Sequence, residues 1–352
     1  MSYHQLRAVE ASRALEPTHR FEDLLLYHVA FDRLNDEPRT EAMLARLVAN
    51  GGRVVVVGES GSGKSSVIAA VLGPLSTMLP ARVLPLRVPV AAEVDRTVTE
   101  PGLLAKHMVR FVTRWATPER FSPAEQADLR RGVADIARRA GTAKIRAYHV
   151  GLPLWMANVD LAHEVRVTGD AYEERGSSSD AIEHLRQMVA LFGAHDLLPV
   201  FVFDDSDTWV RIPGSDRSKV ANAFFLRGVR MLAKELDAGL VLAVHDTYLG
   251  LTGYRDASAL LTGEVRIPRL AVAEAGLLAI LEHRFAVAEV PAEVGEVLDP
   301  SALSALARHY ESGRSIREVL RVAQRSFQNA LSDREEGVTP PLVAQAIAEF
   351  RH

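Results

Sequence analysis

Eight consecutive residues, Gly58-Glu59-Ser60-Gly61-Ser62-Gly63-Lys64-Ser65, match the pattern GxxxxGK[ST] at every fixed position. The apolar run RVVVV (53–57) precedes them and SSVIAAVL follows, so the loop joins a strand to a helix. The glycines let successive backbone N–H groups turn inward on a phosphate, and the helix N-terminus adds partial positive charge. In such a loop Lys64 reaches the β- and γ-phosphates and the Ser65 hydroxyl ligates Mg2+, the binding stretch running from Gly58 to Ser66. The alternative is a Gly/Ser-rich turn that fits by chance. Lysine scarcity weighs against it: of 41 basic residues only Lys64, Lys106, Lys144, Lys219 and Lys234 are lysines, and one stands where the motif requires it.

A second acidic feature ends the apolar run LPVFVF (198–203): Asp204-Asp205-Ser206-Asp207. Asp204 sits where a Walker B aspartate holds the magnesium shell. Asp205 is the candidate base that orients and deprotonates an attacking water. The other reading makes these residues turn and N-cap positions after a strand.

These residues need a scaffold, and the hydrophobic pattern supplies one. RTEAMLARLVAN, with Met43, Leu44, Leu47 and Val48 on one face, predicts a helix that Gly51-Gly52 stops. Strands are expected at 53–57, 81–90, 198–203, 239–244 and 264–268, with the prolines weakening the second. Residues 100–195 are mainly helical in pattern, SKVANAFFLRGVRMLAKELDA predicts a helix, and from about Leu270 onward only helices are expected. Strands separated by helices, then a helical tail, predict a parallel α/β domain, its β-sheet sandwiched by helices and its phosphate loop that of a P-loop NTPase, followed by a small all-α domain. The expected division is 1–268 for the nucleotide-binding α/β domain and 269–352 for the helical domain.

Composition narrows the class. The 352 residues are 48% hydrophobic and 24% charged with net charge −4, an ordinary globular balance that excludes a uniformly basic nucleic-acid binder. The absence of cysteine excludes disulfides, thiol catalysis and thiolate metal sites. With no signal-peptide core at the N-terminus and no membrane-length apolar run, a cytoplasmic, membrane-free protein is the expectation.

The order of phosphate loop, acidic strand end, a further strand with a polar end and a helical lid resembles the AAA+ ATPases. Within them it is most similar to the origin-recognition/initiator-loader group and related bacterial ATPases of mobile elements and conflict systems. EVRIPRLAVAEAGLLAILEHR is similar to that group's passage from last strand to lid, and VTPPLVAQAIAEF to the lid's closing helix. The resemblance covers roughly residues 30–350. It implies ATP and Mg2+ as cofactors, hydrolysis, and a homo-oligomer. It implies a catalytic carboxylate at Asp205, where most hydrolysing members carry Glu, one methylene longer. The sensor at the end of the fourth strand falls on His245 or Asp246, where Asn, Ser or Thr is usual; a loop histidine followed by a capping aspartate is the other reading. The lid sensor falls on Arg317 in Arg314-Ser315-Ile316-Arg317, with Ser315 and Glu318 forming a capping box. Arg317 as one surface arginine among several is its alternative. The arginine supplied to a neighbouring subunit falls on Arg255 or Arg266.

Lys64 and Asp204 are 140 positions apart, longer than a minimal module of this group needs, so the resemblance implies a helical insertion near 100–190 besides the C-terminal all-α lid. Residues 106–146 hold ten basic residues, including Arg130, Arg131, Arg138 and Arg139, against four acidic ones. That is +6 locally, leaving −10 for the rest of the chain. Trp115 and Phe121 lie among them. Such a stretch suits a nucleic-acid backbone, a solvated amphipathic helix pair, or a docking surface for an acidic protein. The initiator group's winged-helix domain has no counterpart after the lid, so direct origin-type recognition in that form is not expected. Two functions stay open: an ATPase acting as an oligomeric switch, loader or regulator for a partner that acts on nucleic acid, or a hydrolysis-poor ATP-binding scaffold or STAND-like switch.

Overall fold

The computed structural model describes residues 3–16, 23–35, 39–76, 82–89, 95–115, 123–140, 178–204, 206 and 216–350. Among them are strands β1 (Arg53–Val57), β2 (Arg82–Arg87), β3 (Leu197–Phe203), β4 (Gly239–Val244) and β5 (Gly263–Arg266). They form one sheet in the order β2-β3-β4-β1-β5. β3 runs parallel to both β2 and β4, with Val202 opposite Arg87 on one side and Val241 on the other. Val54, Val55 and Val56 of β1 are wholly buried, as a central parallel strand demands of β-branched side chains. β1 and β4 lie where the sequence pattern puts them, while β2 and β5 are shorter or shifted. β2 keeps Pro85 because it is the edge strand of this sheet, where a missing N–H is tolerated.

In chain order the helices are α1 (Tyr3–Ser12), α2 (Phe31–Leu34), α3 (Thr40–Ala49), α4 (Lys64–Leu75), α5 (Asp95–Thr99), α6 (Pro101–Trp115), α7 (Pro123–Ala140), α8 (Ser178–Ala194), α9 (Asp216–Ala223), α10 (Arg230–Glu235), α11 (Thr252–Ser258), α12 (Ala273–Val287), α13 (Val294–Val297), α14 (Pro300–Glu311), α15 (Ile316–Asp333) and α16 (Pro340–Glu349). A π-helical stretch, Phe224–Val229, joins α9 to α10, so the expected helix is continuous but locally widened. Among the described residues no helix is long and apolar enough to cross a membrane. The parallel sheet, the loop-to-helix junction after β1 and the all-helical end make this an α/β P-loop NTPase fold with a helical lid.

The chain forms two compact units. One comprises Met1–Leu44, Val57–Gly73 and Val265–His352; the other comprises Ala45–Val56 and Pro74–Glu264. In the second unit α6, α7 and α8 pack together through Leu104, Met108 and Val112 of α6, Leu129 of α7, and Leu185 and Phe192 of α8, all nearly inaccessible. Phe203 at the end of β3 meets Phe224 at 5.6 Å between ring centroids, and Phe225 packs edge-on against Tyr254 at 5.3 Å.

In the first unit α12, α14, α15 and α16 build the lid, and α1 packs on α15. The strongly apolar side of α15, with Val319, Leu320, Val322, Ala323 and Phe327 buried, explains that packing. One parallel bridge, Leu298 to Val338, interrupts an otherwise helical lid. Arg284 of α12 is 6% exposed. Its Nη1 donates to the carbonyls of Ala14 and Glu16 at 2.9 Å each. Its guanidinium lies 5.3 Å from the centroid of the Tyr27 ring. Burial pulls its pKa down to about 10, so the side chain remains a cation at neutral pH.

Candidate phosphate-binding site

The loop after β1 is built from backbone conformations that its glycines permit. Gly61 has φ +77° and Gly63 φ +105°, the left-handed region that side-chain-bearing residues avoid. A Cβ on Gly61 would come within 2.7 Å of Arg317 Cβ and 2.8 Å of Ser315 Oγ. Lys64 opens α4, is buried, and donates from Nζ to the carbonyls of Gly58 and Glu59 at 2.8 Å each. The Ser62 hydroxyl oxygen is buried with no hydrogen-bond partner among the described residues. A buried lysine, an unsatisfied hydroxyl and glycine-shaped backbone at a helix N-terminus fit a bound phosphate group. Ser65 and Ser66, in the first turn of α4, are partly exposed.

The lid helix begins against this loop. Arg317 N–H donates to the Gly61 carbonyl at 3.3 Å. Ser315 caps α15, accepting from Glu318 N–H at 3.3 Å, while the Glu318 carboxylate accepts from Ser315 N–H at 3.0 Å: the capping box read from the sequence is present. Thus Arg317 lies in the first turn of α15, at Gly61.

Two further groups in this unit escaped sequence reasoning. Arg269, just past β5, pairs with Glu59 at 3.3 Å and donates to the carbonyls of Tyr310 at 2.8 Å and Arg314 at 3.2 Å. An arginine directly after Pro268, at the end of the strand expected at 264–268, was the available signal. His28 bridges Ser66 Oγ at 2.9 Å and Glu41 Oε1 at 3.0 Å, and Phe31 N–H donates to the same Glu41 oxygen at 3.0 Å. Burial pushes the Glu41 carboxyl up, but the hydrogen bonds from His28 and Phe31 outweigh it and hold its pKa below the ordinary value.

In the other unit, Asp204 follows β3 with its side chain 3% exposed, and Arg87, ending β2, lies with Nη2 3.4 Å from Asp204 Oδ2. Ser206 is buried and donates to the Ala243 carbonyl. Asp205 and Asp207 lie outside the described residues. His245 follows β4 and caps the short turn Asp246–Tyr248: its Nδ1 accepts from Thr247 N–H at 3.2 Å. Asp246 is exposed in that turn. The two expected magnesium ligands, Ser65 and Asp204, fall in different units. Arg255, in α11, and Arg266, in β5, are both exposed.

Of the basic stretch, Lys106, Arg130 and Arg131 have described side chains. Lys106 and Arg130 are partly exposed and Arg131 is exposed. The side chains of Arg110, Arg114, Trp115, Arg138 and Arg139, and residues 116–122 and 141–146, lie outside the described set.

No family model matches the chain, and no curated protein matches it. Among solved structures it is similar to the ORC1 protein of Aeropyrum pernix in complex with DNA. The identity is 20%, the TM-score 0.49, and the match covers 94% of this chain and 69% of that one. It is also similar to the ORC2 protein of Aeropyrum pernix in its ADPNP-ADP complexes, at 13% identity and TM-score 0.48, over 92% of this chain and 71% of that one.

Proposed function

We propose that the chain is an AAA+ ATPase that binds and hydrolyses ATP with Mg2+, serving as an oligomeric nucleotide-dependent switch, loader or regulator for a partner acting on nucleic acid. The observation that carries this reading is the seating of the first turn of α15 on the phosphate loop, through Arg317 N–H and the Gly61 carbonyl. That contact supports a loop and a lid that respond to one ligand. ATP with Mg2+ supplies the phosphoanhydride to be cleaved. Lys64 and the loop N–H groups hold the phosphates, Ser65 and Asp204 hold the cation, Asp205 orients water, and Arg317 answers the terminal phosphate. Arg255 or Arg266 serves a neighbouring copy, and the basic stretch 106–146 meets nucleic acid.

His245 gives a specific reason to keep the hydrolysis-poor scaffold as a second reading, since its Nδ1 is already engaged in capping a turn. Titration with a fluorescent ATP analogue, beside steady-state ATPase rates, separates the two. Wild type should bind with Mg2+, Lys64→Ala should lose binding, and Asp205→Ala should bind but turn over far more slowly. Tight binding with equal background rates in wild type and Asp205→Ala favours the scaffold; no binding by wild type ends both readings. Charge reversal at Arg130, Arg131, Arg138 and Arg139 should weaken DNA binding in a salt-dependent way, and absence of wild-type binding at low salt removes the nucleic-acid role.

A further inference from the structure

Arg269 makes four contacts within one unit. Nη1 meets Glu59 Oε2 at 3.3 Å; Nη2 donates to Tyr310 O at 2.8 Å and Arg314 O at 3.2 Å; the guanidinium lies 4.5 Å from the centroid of the Tyr310 ring. Tyr310 is itself held, buried at 4% exposure with its hydroxyl accepting from Leu270 N–H at 2.9 Å. The two carbonyls flank the turn between α14 and α15, where the C-terminal end of α14 favours a cation. Glu59, at the other end, is the second residue of the phosphate loop, and its own carbonyl accepts from Lys64 Nζ.

These contacts close a circuit. Lys64 touches Glu59; Glu59 touches Arg269; Arg269 touches the carbonyls before Ser315; Ser315 starts the helix whose Arg317 touches Gly61. Arg269 and Glu59 are 45% and 51% exposed at their side chains, and a pair that open to water adds little to folding stability. Its geometry links the loop after β1 to the turn ahead of α15 instead.

We infer that Arg269 is a positioning residue that couples the state of the phosphate loop to the placement of α15. This rests on the nucleotide-binding reading above. An anion that draws the Lys64 ammonium away from the Glu59 carbonyl frees that peptide to turn. The Glu59 carboxylate carries the change to Arg269, whose other N–H groups hold the last carbonyls ahead of the capping box. A coupling of this kind is a difference in lid free energy between the empty and loaded loop, and it acts equally in both directions.

The test is hydrogen exchange of the full chain, followed at peptides spanning 310–320, with and without a non-hydrolysable ATP analogue and Mg2+. It is run on wild type, Arg269→Ala, Arg269→Lys and Glu59→Gln, with analogue Kd measured for each by calorimetry. The analogue should slow exchange in wild type. At saturating analogue the slowing should vanish in Arg269→Ala and in Glu59→Gln, and in Arg269→Ala, which lies outside the binding loop, Kd should change by no more than about threefold, the range of an exposed ion pair. Arg269→Lys should keep part of it, since one ammonium cannot span both carbonyls and Glu59. Slowing that survives at saturating analogue in either variant overturns the inference, as does an affinity loss in Arg269→Ala well beyond threefold. If Arg269→Ala does not fold, Glu59→Gln decides alone. Wild type that binds no analogue shows itself in calorimetry and brings down the nucleotide reading, and the inference with it.

Discussion

The guanidinium of Arg87 lies 3.4 Å from the carboxylate of Asp204, joining the ends of two neighbouring parallel strands across 117 residues of sequence. Asp204 is the more buried partner, its side chain 3% exposed against 30% for Arg87. Removing the cation therefore withdraws a charged partner from a carboxylate with little water to turn to. Arg87→Ala should lower stability by roughly 1–3 kcal/mol. Arg87→Ala with Asp204→Asn should recover part of that loss, because the uncompensated charge is gone. Urea unfolding of the two single variants and the double variant gives the coupling directly; additive losses would show that the pair does not matter.

Gly61 has neither the space nor the backbone conformation for a side chain. Gly61→Ala should cost about 1–2 kcal/mol from left-handed strain alone, with further loss where the new methyl meets Arg317 and Ser315. Nucleotide affinity should fall with it. Gly295→Ala is the control, since a Cβ there meets nothing within 4 Å and the residue lies in a helix. Thermal melts of both variants check the contrast; equal effects would contradict the close approach of loop and lid.

The Glu41 carboxyl is held below its ordinary value of 4.5. A carboxylate with a lowered folded pKa contributes stability that is present above the ordinary value and lost as pH falls through the folded one. Wild type should therefore lose stability in that acid window more steeply than Glu41→Gln. Denaturant midpoints collected from pH 6 to pH 3 test this, and parallel curves would refute it.

Arg284→Met keeps much of the side-chain volume and removes the cation that binds the Ala14 and Glu16 carbonyls. Stability should fall by about 1.5–3 kcal/mol, the value of hydrogen bonds to a charged group. Residues 3–16 should become the first segment cut in limited proteolysis. Unchanged cleavage would mean that Leu6 and Val9, on the buried face of α1, hold it without help.

The features legible in the sequence are those written locally. The glycine-rich turn into α4, β1, β4 and the Ser315–Glu318 box each depend on residues a few positions apart, and each is found where the pattern puts it. His245 carried two readings, and it caps the turn through Thr247 N–H, a role that the local reading gave to Asp246. Arg87, Arg269 and Arg284 were invisible because their partners lie 117, 210 and 270 positions away. In a chain where arginine is the default cation, nothing in the residue itself marks which arginine will find a carboxylate or a pair of carbonyls. The Phe224–Val229 widening was also unreadable, because its apolar spacing suits an α-helix equally well.

The division of the chain has a consequence for its birth on the ribosome. The unit that carries the phosphate loop draws on Met1–Leu44, Val57–Gly73 and Val265–His352. Two of its three pieces emerge early, yet the helices that receive them are translated last. The early pieces, including the buried face of α1 and the glycine loop, must wait through the whole of Pro74–Glu264 before their partners exist. The second unit, whose pieces are complete sooner, can fold while the apolar segments of the first still lack their partners.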